Sequence, residues 1–437
     1  MKRPLIIVLL TIALVFVLAG IAAVVFFAVN GGFTNNPFDV PLFSAQVEEN
    51  KALKVDTAQP LTLNMTNKWG DVTITGADVD TVQVKAIKTA YAKSQARADE
   101  EVKTIKYSVE QAGNSVTIKY ELPQKAIVNK GPYVVDFIVV VPNRTTVDID
   151  GGMGNVSVSD INGSVTVEND FGEVDVKNTE GSLSVSSNSG EVTATSIRAG
   201  SEDIELTSNF GAVTLKNASG NDIELSSKSG KVTLNEVRAT GEVTTQTDFG
   251  DTEFENGSAS SLNIESNSGG ASLLKLKVNG QIKVNSGFGE IELEQAIGGS
   301  YDLHTNSGSI SVDGVKGALT ATTDFGGIKI ENAQSVMLDL VTRSGSVEFS
   351  GSLGEGPHRV ESEFGEINLT LPADSVLTVD FKTGFGNIKS DLPITVTLTE
   401  SSNPADSHEI VGSINGGGAQ LTVKTNSGNI TIRTASK

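Results

Sequence analysis

Residues 170–190 read DFGEVDVKNTEGSLSVSSNSG. The stretch holds two short strands and two tight turns, and it then recurs. Phe-Gly ends at Gly172, Gly211, Gly250, Gly289, Gly326 and Gly365, and Ser-Gly ends at Gly190, Gly230, Gly269, Gly308 and Gly345. Successive marker glycines lie about 18–21 residues apart, and Phe-Gly returns after about 37–39. A fixed period in this range marks a stacked-repeat architecture.

One unit explains the period. After each marker glycine comes alternation of polar and apolar residues, as in Glu173-Val174-Asp175-Val176, and a similar run precedes it, as in Val165-Thr166-Val167. Alternation with period two describes a strand with one buried face. The glycines, with Asn or Asp nearby, suit turns that need positive φ. One unit cannot bury its own apolar face, so units must stack. The expected body is a β-solenoid of about 14 coils, each about 19–20 residues long. One coil per 38 residues, with Phe and Ser at opposite corners, satisfies the spacing equally well.

The 437 residues include 45 Gly, 11 Pro and no Cys, and the formal net charge is −20. Turn-rich β structure fits this composition. Nucleic-acid binding needs a basic face, and none is visible. The absence of Cys excludes disulfides, thiolate metal sites, Cys nucleophiles and lipid attachment through an N-terminal Cys.

Lys2 and Arg3 precede an apolar run over residues 5–29. Its length exceeds what a helix needs to cross a hydrocarbon core of roughly 30 Å. A cleaved signal peptide usually has a shorter apolar core. The run reads as an uncleaved signal anchor across residues 1–30, with a cleaved signal peptide as the open alternative, and places the N-terminus in the cytoplasm and the bulk of the chain outside. Residues 31–52 read as a linker. Residues 53–145 read as a small α+β N-terminal cap. It would hold strands over 53–84, a helix over 89–103, a hairpin around Ala112-Gly113-Asn114 and a strand from Tyr133 closed by Pro142. Solenoid repeats are expected over 146–389 and a C-terminal capping coil over 390–437. The fold class is thus an all-β solenoid (β-helix) preceded by one transmembrane helix and that cap.

These features resemble the putative adhesin family of β-strand-repeat proteins, a bacterial family of unknown function. The resemblance covers about residues 53–437. It rests on the Ser-Gly-x-Val/Ile turns, the Ala-rich helix with its hairpin, the strand ending at Pro142, and Asn426-Ser427-Gly428-Asn429-Ile430. It implies a surface or adhesive role, names no ligand, and carries no catalytic residues onto this chain.

Nothing in the sequence gathers chemistry at one place. His304, His358 and His408 have no zinc-site spacing and read as surface or turn residues. Asp-Phe-Gly at Asp170, Asp248 and Asp324 matches the kinase triplet by letters only, without its companion motifs. Asp71, Glu173, Glu191, Asp251, Glu290 and Glu366 follow marker glycines and would stack as an acidic column. A solvated edge that discourages sheet aggregation explains them better than cation binding. Phe171, Phe210, Phe249, Phe288, Phe325 and Phe364 would form an aromatic ladder. Burial is the expectation, because each buried ring contributes roughly 1.5–3 kcal/mol. No catalytic, metal or cofactor residue is assigned.

The expected function is a non-enzymatic, membrane-anchored scaffold that meets a cell-surface polysaccharide or an envelope protein and does not bind nucleic acid. Two alternatives stay open: a polysaccharide-acting β-helix enzyme, and an accessory to envelope-stress signalling.

Overall fold

A computed structural model describes residues 43–121, 133–396 and 408–435. The expected anchor lies outside them. Among the described residues no helix is long and apolar enough to cross a membrane. The chain divides into two compact units: Met1–Asp160 with Glu168–Phe171, and Ile161–Val167 with Gly172–Lys437.

The first unit departs from the expected α+β cap. Strand Leu61–Trp69 runs parallel between Ser115–Tyr120 and Thr145–Met153. Strand Val72–Ala77 runs parallel between Tyr133–Pro142 and Val156–Ser159. Coil-like pairing thus begins at Leu61 rather than at residue 146. Phe43–Lys54, part of the expected linker, is a strand antiparallel to Thr81–Ala92, which is antiparallel to Tyr133–Pro142. The helix shrinks to Gln95–Glu101, begun by Ser94, whose hydroxyl accepts from the Arg97 N–H. Thr89–Ala92 stays in the strand because pairing and burial of Ala90 and Ala92 outweigh helix propensity. The hairpin Ser108–Ala112 with Ser115–Tyr120 forms where expected.

The second unit is a β-solenoid with two strands per coil. Val174 pairs with Val192, Val192 with Val213, and Val213 with Val232, all in parallel register. One coil is therefore about 19–20 residues, which excludes the 38-residue alternative. The regular stack has about eleven coils rather than 14. Apolar residues of each strand form interior columns: Val192, Val213 and Val232 stack on one wall, and Leu206, Leu225 and Ile264 are as fully buried on another. Polar alternates face solvent, as the period-two pattern requires.

Coil order departs from chain order at the C-terminal end. Strand Ile367–Leu371 pairs with Ile430–Thr434, which pairs in turn with Ile388–Ser390. Likewise His358–Phe364 pairs with Ala419–Ser427, which pairs with Leu377–Phe385. The last coil in the sequence is thus inserted before the penultimate one. It does not end the stack as a capping coil. The outer strand Leu377–Phe385 is covered by His408–Ile414, antiparallel to it.

Candidate interaction surface

One corner of the coil is built from four residues with the pattern [Ser/Thr]-x-[Phe/Ser]-Gly. A Cβ on Gly230 would lie 2.0 Å from the carbonyl oxygen of Gly211 in the preceding coil, and one on Gly190 would lie 1.9 Å from that of Gly172. Only glycine lets successive backbones approach so closely. This close approach, more than positive φ, explains most of the markers: Gly172 and Gly190 have φ +126° and +157°, whereas Gly211 and Gly230 lie outside the positive-φ region.

The residue three before each marker is buried, and at most markers its side chain closes the corner. Ser208 donates to the Gly190 carbonyl at 2.9 Å, Ser227 to Gly211 at 2.8 Å, Thr323 to Gly308 at 2.9 Å and Thr342 to Gly326 at 2.9 Å. Each hydroxyl satisfies a carbonyl that the tight corner turns away from water. This column was missed in the sequence, although its Ser/Thr recurs at a constant offset before Gly.

A second bend, six residues after the marker, was also missed. Asn217, Glu236, Asn256, Lys275, Gln295 and Asn332 all have φ near +50°. The six positions accept Asn, Glu, Lys and Gln alike because the backbone defines the bend. No single residue type marks it.

The aromatic ladder reverses expectation. Phe210, Phe249, Phe288, Phe325 and Phe364 are 60–71% exposed. Phe385, at the end of its strand, is 81% exposed, and Phe171, in the first unit, is 40% exposed. The buried positions of these strands alternate with the Phe positions, and the interior column at the corner is already filled by Ser or Thr. The rings therefore stand outside.

Ser occupies the ladder position in the coils between. Phe325 is in register with Ser344, Ser344 with Phe364, Phe364 with Ser427 and Ser427 with Phe385. The column repeats every two coils, about 9.5 Å by the usual strand spacing.

Acidic residues after the marker glycines are exposed and bond neighbouring coils. Asp251 accepts from the Gly270 N–H at 2.8 Å, and Glu366 accepts from Asn429 at 3.1 Å. Among the described residues no group of three acidic or His side chains has a geometry to hold a metal ion.

The histidines are dispersed. His304 lies 3.3 Å from the Asn306 side-chain oxygen on an outer face, and His408 is exposed. His358 is buried, contrary to the expected surface or turn setting. Its Nδ1 accepts from the Leu338 N–H, and its Nε2 faces the Gly354 carbonyl, both at 3.3 Å. Burial pushes its pKa below the ordinary value. These partners define a neutral structural imidazole.

The Toastrack DUF4097 family matches residues 71–313 and 256–433, so the chain belongs to that family. A search of the curated proteins finds no match. Among solved structures, a putative cell adhesion protein from Clostridium sporogenes ATCC 15579 aligns at 12% identity over 90% of this chain and 100% of that one, with TM-score 0.18. A putative adhesin from Bacteroides fragilis NCTC 9343 aligns at 10% identity over 89% and 97%, with TM-score 0.19.

Proposed function

We propose that this protein is a non-enzymatic interaction scaffold at the cell surface, and that its contact face is the Phe column. The observation that carries this reading is the exposure of Phe210, Phe249, Phe288, Phe325, Phe364 and Phe385 on one corner of one solenoid. With rings of ~150–250 Å² each, the exposed column offers on the order of 800 Å² of apolar surface. Exposed apolar patches beyond a few hundred Å² mark interaction sites. A solenoid repeats the same side chain at fixed intervals, which suits a repeating or extended partner such as a wall polysaccharide or an envelope protein. In this proposal residues 5–29 anchor the chain, Lys2 and Arg3 stay on the cytoplasmic side, and the acidic remainder lies outside.

The test passes the full-length protein over isolated cell-wall polysaccharide and envelope fractions, with and without calcium. Saturable retention that Phe249→Ser and Phe288→Ser together reduce at least tenfold supports the assignment. Retention unchanged by both substitutions overturns the assignment of this face.

A further inference from the structure

We propose that the Phe column is a self-complementary zipper through which two copies of this chain pair antiparallel. This inference deepens the proposed function and rests on it, since it names the partner of the same face.

The shape argument comes first. Along the second unit the column reads Ser189, Phe210, Ser229, Phe249, Ser268, Phe288, and then Ser307, Phe325, Ser344, Phe364, Ser427, Phe385 in stacking order. Knobs alternate with gaps, and the series begins with a gap and ends with a knob. A two-fold axis lying across the column between Phe288 and Ser307 sets every Phe of one copy against a Ser of the other. Interleaved rings would stand about 4.8 Å apart, one strand spacing. That falls within the ~4.5–7 Å centroid separation favoured by aromatic pairs. A two-fold axis along the column would instead set Phe on Phe.

Charge makes the same choice of axis and register. The residues flanking the column keep their side under the transverse two-fold. Lys228 then faces Glu363 of the second copy, Lys231 faces Glu366, and Asp248 faces Arg343. Asp324 faces Asn267, and Glu290 faces Ser309. No like-charged pair meets along the column, in a chain whose net charge is −20. In the single chain Arg343 lies only 3.6 Å from Asp324 and 3.9 Å from Glu363, loose exposed pairs that leave it available. General repulsion between the acidic chains is screened beyond about 8 Å at physiological ionic strength, whereas facing pairs act at contact.

Area is sufficient. The on-the-order-of 800 Å² of ring surface per copy matches the ~800 Å² per partner of a standard stable interface. A self-complementary patch of this kind produces a closed two-fold dimer.

The test is sedimentation equilibrium of the full chain in density-matched detergent. A dimer is expected, weakened at least tenfold by Phe288→Ser with Phe249→Ser. Lys228→Glu with Lys231→Glu should weaken it, as should Glu363→Lys with Glu366→Lys, and all four changes in one chain should restore it. Because the chain has no Cys, Lys228→Cys with Glu363→Cys should yield disulfide-linked dimers on oxidation. A wild-type monomer up to roughly 100-fold above a micromolar dissociation constant, or no rescue by the combined charge exchange, overturns the zipper. A monomer still retained by envelope polymer through its Phe residues leaves the proposed function standing and removes only the zipper. A monomer without retention removes both.

Discussion

Ser427 stands in register between Phe364 and Phe385, although in the sequence it follows both. The Phe/Ser alternation looks broken when read along the chain, because Phe385 follows Phe364 with no Ser-Gly turn between. It is intact in space. The alternation therefore records position in the stack, not position in the sequence. The last coil carries a Ser because it occupies a Ser layer.

The inserted coil should be more important to stability than a terminal one. Deleting residues 408–437 removes strands that separate His358–Phe364 from Leu377–Phe385 and leaves Val360, Val379 and Phe381 without neighbours that now bury them. Limited proteolysis should then cut rapidly within 377–396, with Tm lowered by several degrees. Survival of that segment at wild-type rates would contradict the observed coil order.

Gly230→Ala should destabilise through backbone collision. Its Cβ would meet the Gly211 carbonyl oxygen at 2.0 Å and carbon at 2.3 Å. Backbone shared by two coils cannot yield without disturbing both, so a loss of ~1–3 kcal/mol or more is expected. Gly314→Ala tests a different cost, since nothing lies within 4 Å of its Cβ but its φ is +80°. Its loss should be nearer ~1–2 kcal/mol. Denaturant unfolding of the two variants separates the effects.

Thr323→Val preserves shape but removes the hydroxyl that donates to the Gly308 carbonyl at 2.9 Å. A buried carbonyl left unsatisfied costs about 1–3 kcal/mol. Thr323→Ser keeps the bond and should lose less, about the ~0.8 kcal/mol of one buried methyl-sized group. Equal losses for the two would show that volume, not the hydrogen bond, governs the site.

The exposed rings should be nearly silent in stability. Phe249 and Phe288 are 71% and 67% exposed in the single chain, so at concentrations too low for dimers to form, replacing either with Ser should change unfolding free energy by no more than about 0.5 kcal/mol. A buried Phe of this size would cost ~3–5 kcal/mol on truncation. Thermal unfolding of Phe288→Ser beside Phe254→Ala, which removes a fully buried ring, makes the comparison within one protein.

His358 should make stability depend on pH below neutrality. The folded state holds it neutral, because burial lowers its pKa and its Nδ1 accepts the Leu338 N–H. The unfolded chain takes up a proton near its ordinary pKa of about 6.5. The unfolded state then binds more protons, so stability rises with pH and is lost as pH falls below that value. The difference in Tm between wild type and His358→Gln should be largest at pH 7–8 and narrow towards pH 5. A constant difference would show that protonation of His358 is not coupled to unfolding.

The sequence by itself determined the repeat, the two strands in each unit of about 19–20 residues and the aliphatic residues that face inward. Val174, Val192 and Val213 alternate with polar neighbours, and a period-two pattern around recurring glycines allows only one face inward. The Ser/Thr column three before each glycine was legible too, as a constant offset, but its purpose appears only when the hydroxyl is seen against the carbonyl of a neighbouring marker glycine. Tertiary structure alone decided three things. It chose the 19–20-residue coil over the 38-residue one, because only pairing shows which strands are neighbours. It placed residues 419–434 inside the stack, because coil order is set by which edges match and not by connectivity. It put the Phe rings outside, because the inward position at that corner was already taken by a hydroxyl bound to the backbone. Hydrophobicity favours burial of a ring, but a ring occupies the interior only where the strand's alternation points it there.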